Sequence, residues 1–569
     1  MPVIPPPHKR QSGGELASSL DLLPQLWRTP PNYSRDACAI LLILAVCVGT
    51  AFIGAVHTRI FGHDIFILLD SGWRVLNGQR PAVDYSPGTG ELLPLLMAAG
   101  LKLAHNSVRG IGYASALLGA VVGLWSYAIA RNRMSWISAS LVSLLLTLIA
   151  VAPYPLGLLP NMFSHAMIYN RYGYALLGMV VVESFQRTRG REDAKLALGS
   201  VSTGIISAAL LFLKPSYGLV ALVFAAYSVL LDRRNWWRPA GILLGFAAGI
   251  LAMIAWLRFD FEAVFNTFRL LAAAKSGGLS LWEIRWAIVK GLPDFAALAL
   301  LVVFVGVIRS SKEPIARSFS PLAVAILVML GGSLLLATNA QAGGYPLNAV
   351  LAILLVEQGF AAAKNSGIGA TAGFLRADTV VLLVGLLCFV PDLLANASGL
   401  GSAIIESRRN PPASEVARFQ SANLSSLLLF DVPFGTDADY RSNGRVYVTY
   451  VNDGMDLIRR VSKPAETVFT LDIFNPFPYA LLRAPAPGGA DCMAFNHQFN
   501  DEHKPTPDRL FGSADIVMVP KHPSAADVDT QALFRNYLPD IQARFRLCAE
   551  TDWWQLYKPP SHLEGCTVR

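Results

Sequence analysis

The chain has 569 residues, 53% of them hydrophobic and only 15% charged, with a mean hydropathy of +0.44. A soluble chain of this length carries about a quarter charged residues, so an ordinary soluble enzyme is excluded. The formal charge of +8 does not point to nucleic acid either. Most Lys and Arg fall in short clusters between apolar runs, where they orient helices and meet anionic lipid.

Residues 1–36 are polar and Pro-rich and read as a disordered cytoplasmic N-terminus, not a cleavable leader. Apolar runs long enough to cross hydrocarbon follow at residues 37–56, 109–130, 136–156, 172–185, 196–213, 217–231, 240–257, 288–308, 321–338, 347–363 and 379–397. That predicts an all-α polytopic membrane bundle of about eleven spans. Pro215 nearly joins the fifth run to the sixth, which leaves open one broken or re-entrant unit there. Gly245 and Gly249 have the spacing of close helix packing.

Every second loop is short and basic: Arg131 and Arg133; Arg187, Arg189, Arg191 and Lys195; Arg233, Arg234 and Arg238; Arg309, Lys312 and Arg317; Lys364 and Arg376. Those loops and Met1 are therefore expected in the cytoplasm, in the inner membrane of a cell envelope. With an odd span count, the chain beyond residue 398 is expected outside. The organisation read from the sequence is thus 1–36, a membrane module over 37–398, and an extracytoplasmic α/β domain over 399–569.

Two outer loops, residues 57–108 and 260–287, are large enough to carry function. Both hold amphipathic stretches suited to the membrane interface, with Phe261, Phe265, Phe268, Trp282 and Trp286 in the second. In the first, Asp64 is placed to cap a helix that ends near Asn77-Gly78. Phe66, Leu69, Trp73 and Leu76 share one face of it, and Asp70 can pair with Arg74.

Beyond residue 399 apolar stretches shorten. Residues 446–451, 467–472, 516–520 and 554–557 read as strands, and 453–461 and 530–546 as helices. Three cysteines lie here, and Cys492 with Cys548 is the expected pair. The cluster from His497 to His503 has spacing compatible with metal ligands but reads as a solvated loop. No cofactor is required, and a divalent metal has no support.

The order of first span, acid, amphipathic helix, Trp73-Arg74-Val75-Leu76-Asn77-Gly78, Pro81, Asp84-Tyr85 and a Pro-Gly-rich turn resembles the GT-C superfamily of polytopic glycosyltransferases. It is most similar to the protein mannosyltransferase and aminoarabinose transferase branch. The family often has Asp-Glu where this chain has His63-Asp64-Ile65. The resemblance implies a polyprenyl-phosphate-linked sugar donor, an extracytoplasmic glycan, lipid or protein acceptor, and membrane lipids but no nucleic acid as partners. It places the catalytic acid in the first outer loop.

A hydroxyl or amine acceptor needs a base within hydrogen-bond reach. Asp64 is the first candidate and Asp84 the second; the bland alternatives are a helix cap and a turn residue. A phosphate-bearing donor also needs cations. The candidates are Arg171 and Lys214, with Arg74, Arg80 and His165 behind them, and then Arg269, Lys275 and Arg285. A lysine at the depth of Lys214 is costly unless it lines a polar cavity. The rival readings are a transporter or lipid flippase, which would place ionisable residues deep in several spans, and a non-catalytic envelope-assembly subunit.

Overall fold

The computed structural model describes residues 33–184, 193–231, 235–274, 281–310, 314, 320–366, 377–412, 415–431, 444–523 and 527–566. Most of the expected N-terminal segment and the loop cations Arg187, Arg189, Arg191, Arg233, Arg234, Lys312, Arg317 and Arg376 lie outside these residues, as does Lys275; for Lys195 and Lys364 no side chain is described.

The helices run α1 Tyr33–Ile53, α2 Ile65–Leu76, α3 Leu92–Leu103, α4 Gly110–Arg131, α5 Trp136–Val151, α6 Ile168–Ser184, α7 Asp193–Leu213, α8 Pro215–Leu231 and α9 Trp237–Trp256. They continue with α10 Phe261–Ala274, α11 Leu281–Ser310, α12 Ser320–Thr338, α13 Pro346–Ser366 and α14 Ala377–Ser407. Each expected span is a helix. Among the described residues seven are long and apolar enough to cross a membrane: α1, α4, α9, α11, α12, α13 and α14. This is an integral membrane protein.

The remaining four expected spans are shorter or less apolar, and α6 shows why they need not be otherwise. Every residue of α6 is buried, Asn170, Arg171 and Glu183 among them. A helix walled by other helices needs no lipid-facing surface, so its polar residues find protein partners instead. Between α7 and α8, Pro215 takes the first helical position, where its missing N–H costs nothing. The two helices fold back on each other: a Cβ on Gly218 would lie 2.6 Å from Leu211 Cα. They are separate helices, which resolves the alternative of one broken unit. Gly245 and Gly249 lie against Val201 and Ala208, so α9 packs on α7 through small residues as expected.

In the first outer loop, α2 differs from expectation. It is not an interfacial helix with one face toward lipid. Phe66 and Leu69 are fully buried, Gly72 abuts Met97 of α3, and the Trp73 indole donates to Arg483 O at 2.7 Å. The C-terminal domain covers it. In the second outer loop Phe261, Phe265, Trp282 and Trp286 are exposed, the disposition the sequence suggests.

The C-terminal domain carries strands β1 Val416–Arg418 and β2 Leu428–Phe430, then helix α15 Gly444–Val461 and strand β3 Val468–Thr470. Short helices α16 Phe477–Ala480 and α17 Pro507–Phe511 precede β4 Ile516–Pro520, α18 Asp527–Arg544, β5 Arg546–Glu550 and β6 Trp554–Lys558. The larger sheet has the order β3-β4-β6-β5, with β3 parallel to β4 and the other pairs antiparallel.

Three expectations fail here. Residues 446–451 are helical, because Tyr447, Val451, Met455, Ile458 and Val461 share a buried face at helical spacing and that burial outweighs the β-propensity of the local valines and tyrosines. The helix expected to reach residue 546 ends at Arg544, and β5 follows it. Cys548 pairs with Cys566, not with Cys492. Cys492 instead lies against Gly88 of the outer loop, 4% exposed.

Candidate functional site

The chain leaves α1 and enters α2 through a short 3₁₀ turn, Gly62–Asp64, with Phe61 in a left-handed conformation at φ 52°. That turn decides what Asp64 does. Its backbone is already helical, and its side chain makes no capping hydrogen bond. The carboxylate is left facing His63, whose Nε2 lies 3.1 Å from Asp64 Oδ1. Burial raises the Asp64 carboxyl above its usual range, with the His63 imidazole opposing that rise.

Aromatic groups from the C-terminal domain close over this pair. The His63 ring lies 5.0 Å from Phe474 and 6.2 Å from Tyr447, centre to centre. Asp64 is within electrostatic reach of Tyr447, Cys492 and Tyr169. Asp529 feels His63 in turn, and one of its oxygens accepts from Phe495 N at 2.7 Å.

Tyr169 connects Asp64 to Lys214. The Lys214 ammonium lies 4.4 Å from the centre of the Tyr169 ring, a cation–π contact. The sharp turn at Pro215 holds the lysine there: Tyr217 N donates to Lys214 O at 3.0 Å. The first outer loop is pinned beside it, since Gly90 N donates to Leu213 O at 3.0 Å and a Cβ on Gly90 would lie 2.1 Å from Phe212 O. Only glycine allows that approach.

Two residues beyond Lys214, the Ser216 hydroxyl donates to Asn339 Oδ1 at 3.3 Å. Asn339 borders a cavity of about 450 Å³ with Trp282, Trp286, Lys290, Gln341 and His497. The amide nitrogen of Asn339 is buried with no hydrogen-bond partner. A space of that size, walled by aromatic side chains and a few polar groups, has the character of a ligand site.

The other expected site residues are placed elsewhere. Asp84 accepts from Arg80 N at 2.7 Å while its own N donates to Arg80 O at 2.8 Å, closing a turn. Arg74 is fully buried: Nε donates to Asp70 at 2.8 Å, and Nη1 to Gln79 at 3.0 Å, Ala486 O at 3.2 Å and Gly488 O at 2.8 Å. Arg171 donates to Tyr154 O, to Ile149 O at 3.1 Å and to Asn396 Oδ1 at 2.8 Å. These contacts tie α5, α6 and α14 together. Two residues from Tyr169 on one helix, Arg171 leaves from nearly the opposite face.

His165 Nε2 accepts from Val56 N at 3.0 Å, and burial lowers its pKa to about 4. It is therefore neutral and offers a phosphate no charge. Arg74, Arg171 and His165 each join parts of the protein to each other. Arg269 and Arg285 are exposed on the second outer loop.

Sequence reasoning missed Tyr169, Asn339 and the covering groups Tyr447 and Phe474. For Tyr169 the signal was present in Tyr169-Asn170-Arg171, but charge drew attention to the arginine. Asn339 ends an apolar run, which is where polar groups reach an outer cavity. Tyr447 and Phe474 carry no local signal. Among the described residues no group of three His, Cys, Asp or Glu is disposed to hold a metal ion.

No family model matches the chain, and no curated protein matches it. Among solved structures, the chain is similar to ArnT from Cupriavidus metallidurans bound to undecaprenyl phosphate, with TM-score 0.46 and 12% identity over 92% of this chain and 98% of that one. The same protein in the apo state matches with TM-score 0.43, at the same identity and coverage. At these values the likeness is one of outline alone.

Proposed function

We propose that this protein is a membrane glycosyltransferase of GT-C type, moving a sugar from a polyprenyl-phosphate carrier to an acceptor outside the cytoplasm. The observation that carries the reading is Asp64. It is a carboxylate at a helix start that caps nothing, half-buried beside His63 and within electrostatic reach of Tyr169, whose ring the Lys214 ammonium faces. In this reading residues 1–36 are cytoplasmic, 37–398 form the module in the inner membrane, and 399–569 form the outer domain.

The roles follow from the chemistry. An acceptor hydroxyl attacks the anomeric carbon, its proton passes to Asp64, and the bond from that carbon to the phosphate oxygen breaks. The electron pair leaves with the polyprenyl phosphate, whose charge Lys214 offsets. Burial makes Asp64 a stronger base than a solvated carboxylate, provided it is ionised. The cavity beside Asn339 receives the carrier, with Trp282 and Trp286 against its prenyl chain, and Tyr447 and Phe474 keep water from the reacting pair.

The transporter reading has less support, because Glu183 and Glu357, two acids within the spans, have local partners. Glu183 pairs with Arg133. Glu357 accepts from Ser135 N at 2.8 Å and from the Ser138 hydroxyl at 2.8 Å, beside the Ser135 cap of α5.

The test is Asp64→Asn, read as transfer of radiolabelled sugar from a polyprenyl-phosphate donor by purified protein. Asn keeps the shape and removes the base, so transfer should fall roughly 10²–10⁴-fold with donor binding retained. Near-normal transfer in the Asp64→Asn, Asp84→Asn double variant would falsify the mechanism.

A further inference from the structure

At the end of the bundle opposite Asp64, where α4 gives way to α5, lies a second cavity of about 210 Å³ that sugar transfer does not use. A water occupies about 30 Å³ of liquid, so the space suits a headgroup-sized ligand. Trp125, Asn132 and Arg133 line it from α4 and the turn after it; Glu183 of α6 and Leu198 and Ser202 of α7 complete the lining.

Three features point to an occupant. Arg133 and Glu183 are 5% and 3% exposed and paired, so both a cation and an anion border the space. The Ser202 hydroxyl is buried and has no hydrogen-bond partner, in a residue 8% exposed. An orphaned hydroxyl costs free energy unless something fills its bonds. The rim carries an outward apolar side chain, Leu198, 71% exposed.

We propose that this cavity binds the headgroup of a zwitterionic phospholipid bearing a primary ammonium, that is, phosphatidylethanolamine. The phosphate takes charge-assisted bonds from Arg133 and a hydrogen bond from Ser202. The ammonium donates to Glu183. The acyl chains leave past Leu198 into the surrounding lipid. A quaternary choline headgroup lacks N–H donors and is bulkier at nitrogen, so it satisfies neither Glu183 nor the shape. The proposal is independent of which sugar the outer site transfers.

Native mass spectrometry and thermal melting of the full chain test it, with phosphatidylethanolamine, phosphatidylcholine or free phosphoethanolamine added to delipidated protein. Phosphatidylethanolamine should be retained and raise the melting temperature, and phosphatidylcholine should do neither. Ser202→Leu fills the space and removes the hydroxyl, and should weaken retention about tenfold while the protein stays folded. Ser202→Ala, which removes the hydroxyl alone, is the second variant should Ser202→Leu fail to fold, and it should weaken retention as well. Equal retention of the two lipids, unchanged retention in a folded variant, or equal stabilisation by phosphoethanolamine alone would each overturn a lipid site.

Discussion

The two large outer loops are built on opposite principles. The first is riveted to the C-terminal domain: Arg74, Gln79 and Trp73 donate to backbone carbonyls of residues 483–488, Ser86 N donates to Gly489 O, and Arg509 donates to Ala82 O. The second meets that domain through Asn500, whose amide donates to Ala273 O and Ala274 O at 3.0 and 3.2 Å, and through the cavity wall at His497. Its Phe261 and Phe265 face outward, Phe265 67% exposed, while Trp282 and Trp286 border the cavity. In the proposed mechanism a base is held still, whereas a lipid substrate enters. The first loop supplies a fixed floor and the second a wall with an open side.

The sharpest way to break that comparison is Arg74→Met. It leaves Asp70 buried without its cation and should cost about 3–5 kcal/mol, read as loss of the folded state or protease sensitivity near residue 485. Arg285→Met, on the exposed second loop, should stay within about 0.5 kcal/mol. Equal stability of the two variants would end the distinction.

Next is pH. Burial raises Glu91 to about 8 and Asp491 to about 7, both in the fixed interface. Each holds its proton in the folded state well above the pH at which the unfolded chain releases it. Their contribution is full below the unfolded values, 4.5 and 3.8. It declines at up to about 1.4 kcal/mol per pH unit as pH rises to the folded values, and then levels off. Melting temperature should therefore fall between pH 5 and about 8. Glu91→Gln should flatten the curve, and an unchanged slope would remove Glu91 as its cause.

A smaller effect is expected at the open wall. Trp282→Ala with Trp286→Ala should weaken donor affinity about tenfold, in line with the area two rings bury, while leaving the melting temperature unchanged. A fall in stability with intact affinity would make these rings structural. Smallest is Asp84→Asn, which keeps an acceptor for Arg80 N. It should cost under about 1 kcal/mol and leave the transfer rate constant as it is; a large rate loss would move catalysis to Asp84.

The spans were legible because hydrocarbon thickness imposes a length on them, and the end of α2 at Asn77-Gly78 was legible because helix termination is local. The protein partners of Arg74, Arg171 and His165 were not legible, for one reason. A buried cation and a ligand-binding cation look alike in sequence, and only partners from distant segments tell them apart. Asn396, which accepts from Arg171, is 225 residues away. Residues 446–451 failed because β-branched composition and helical burial both fit the stretch, and burial is a property of the whole fold. The cover of Tyr447 and Phe474 over His63 joins segments about 400 residues apart that share no pattern.

The Arg74 contacts also set an order of events in the making of the protein. Two of its acceptors, Ala486 O and Gly488 O, lie 412 and 414 residues downstream. At synthesis rates of about 5–20 residues per second, they emerge about 20–80 s after the arginine does. Through that interval Asp70, one helical turn away, is the charged partner at hand. The loop that bears Asp64 therefore gains its last contacts only when residues 483–489 have been made and lie beside it. A chain stalled before residue 485 would hold helices α1 to α14 and lack the carbonyls that fix this loop.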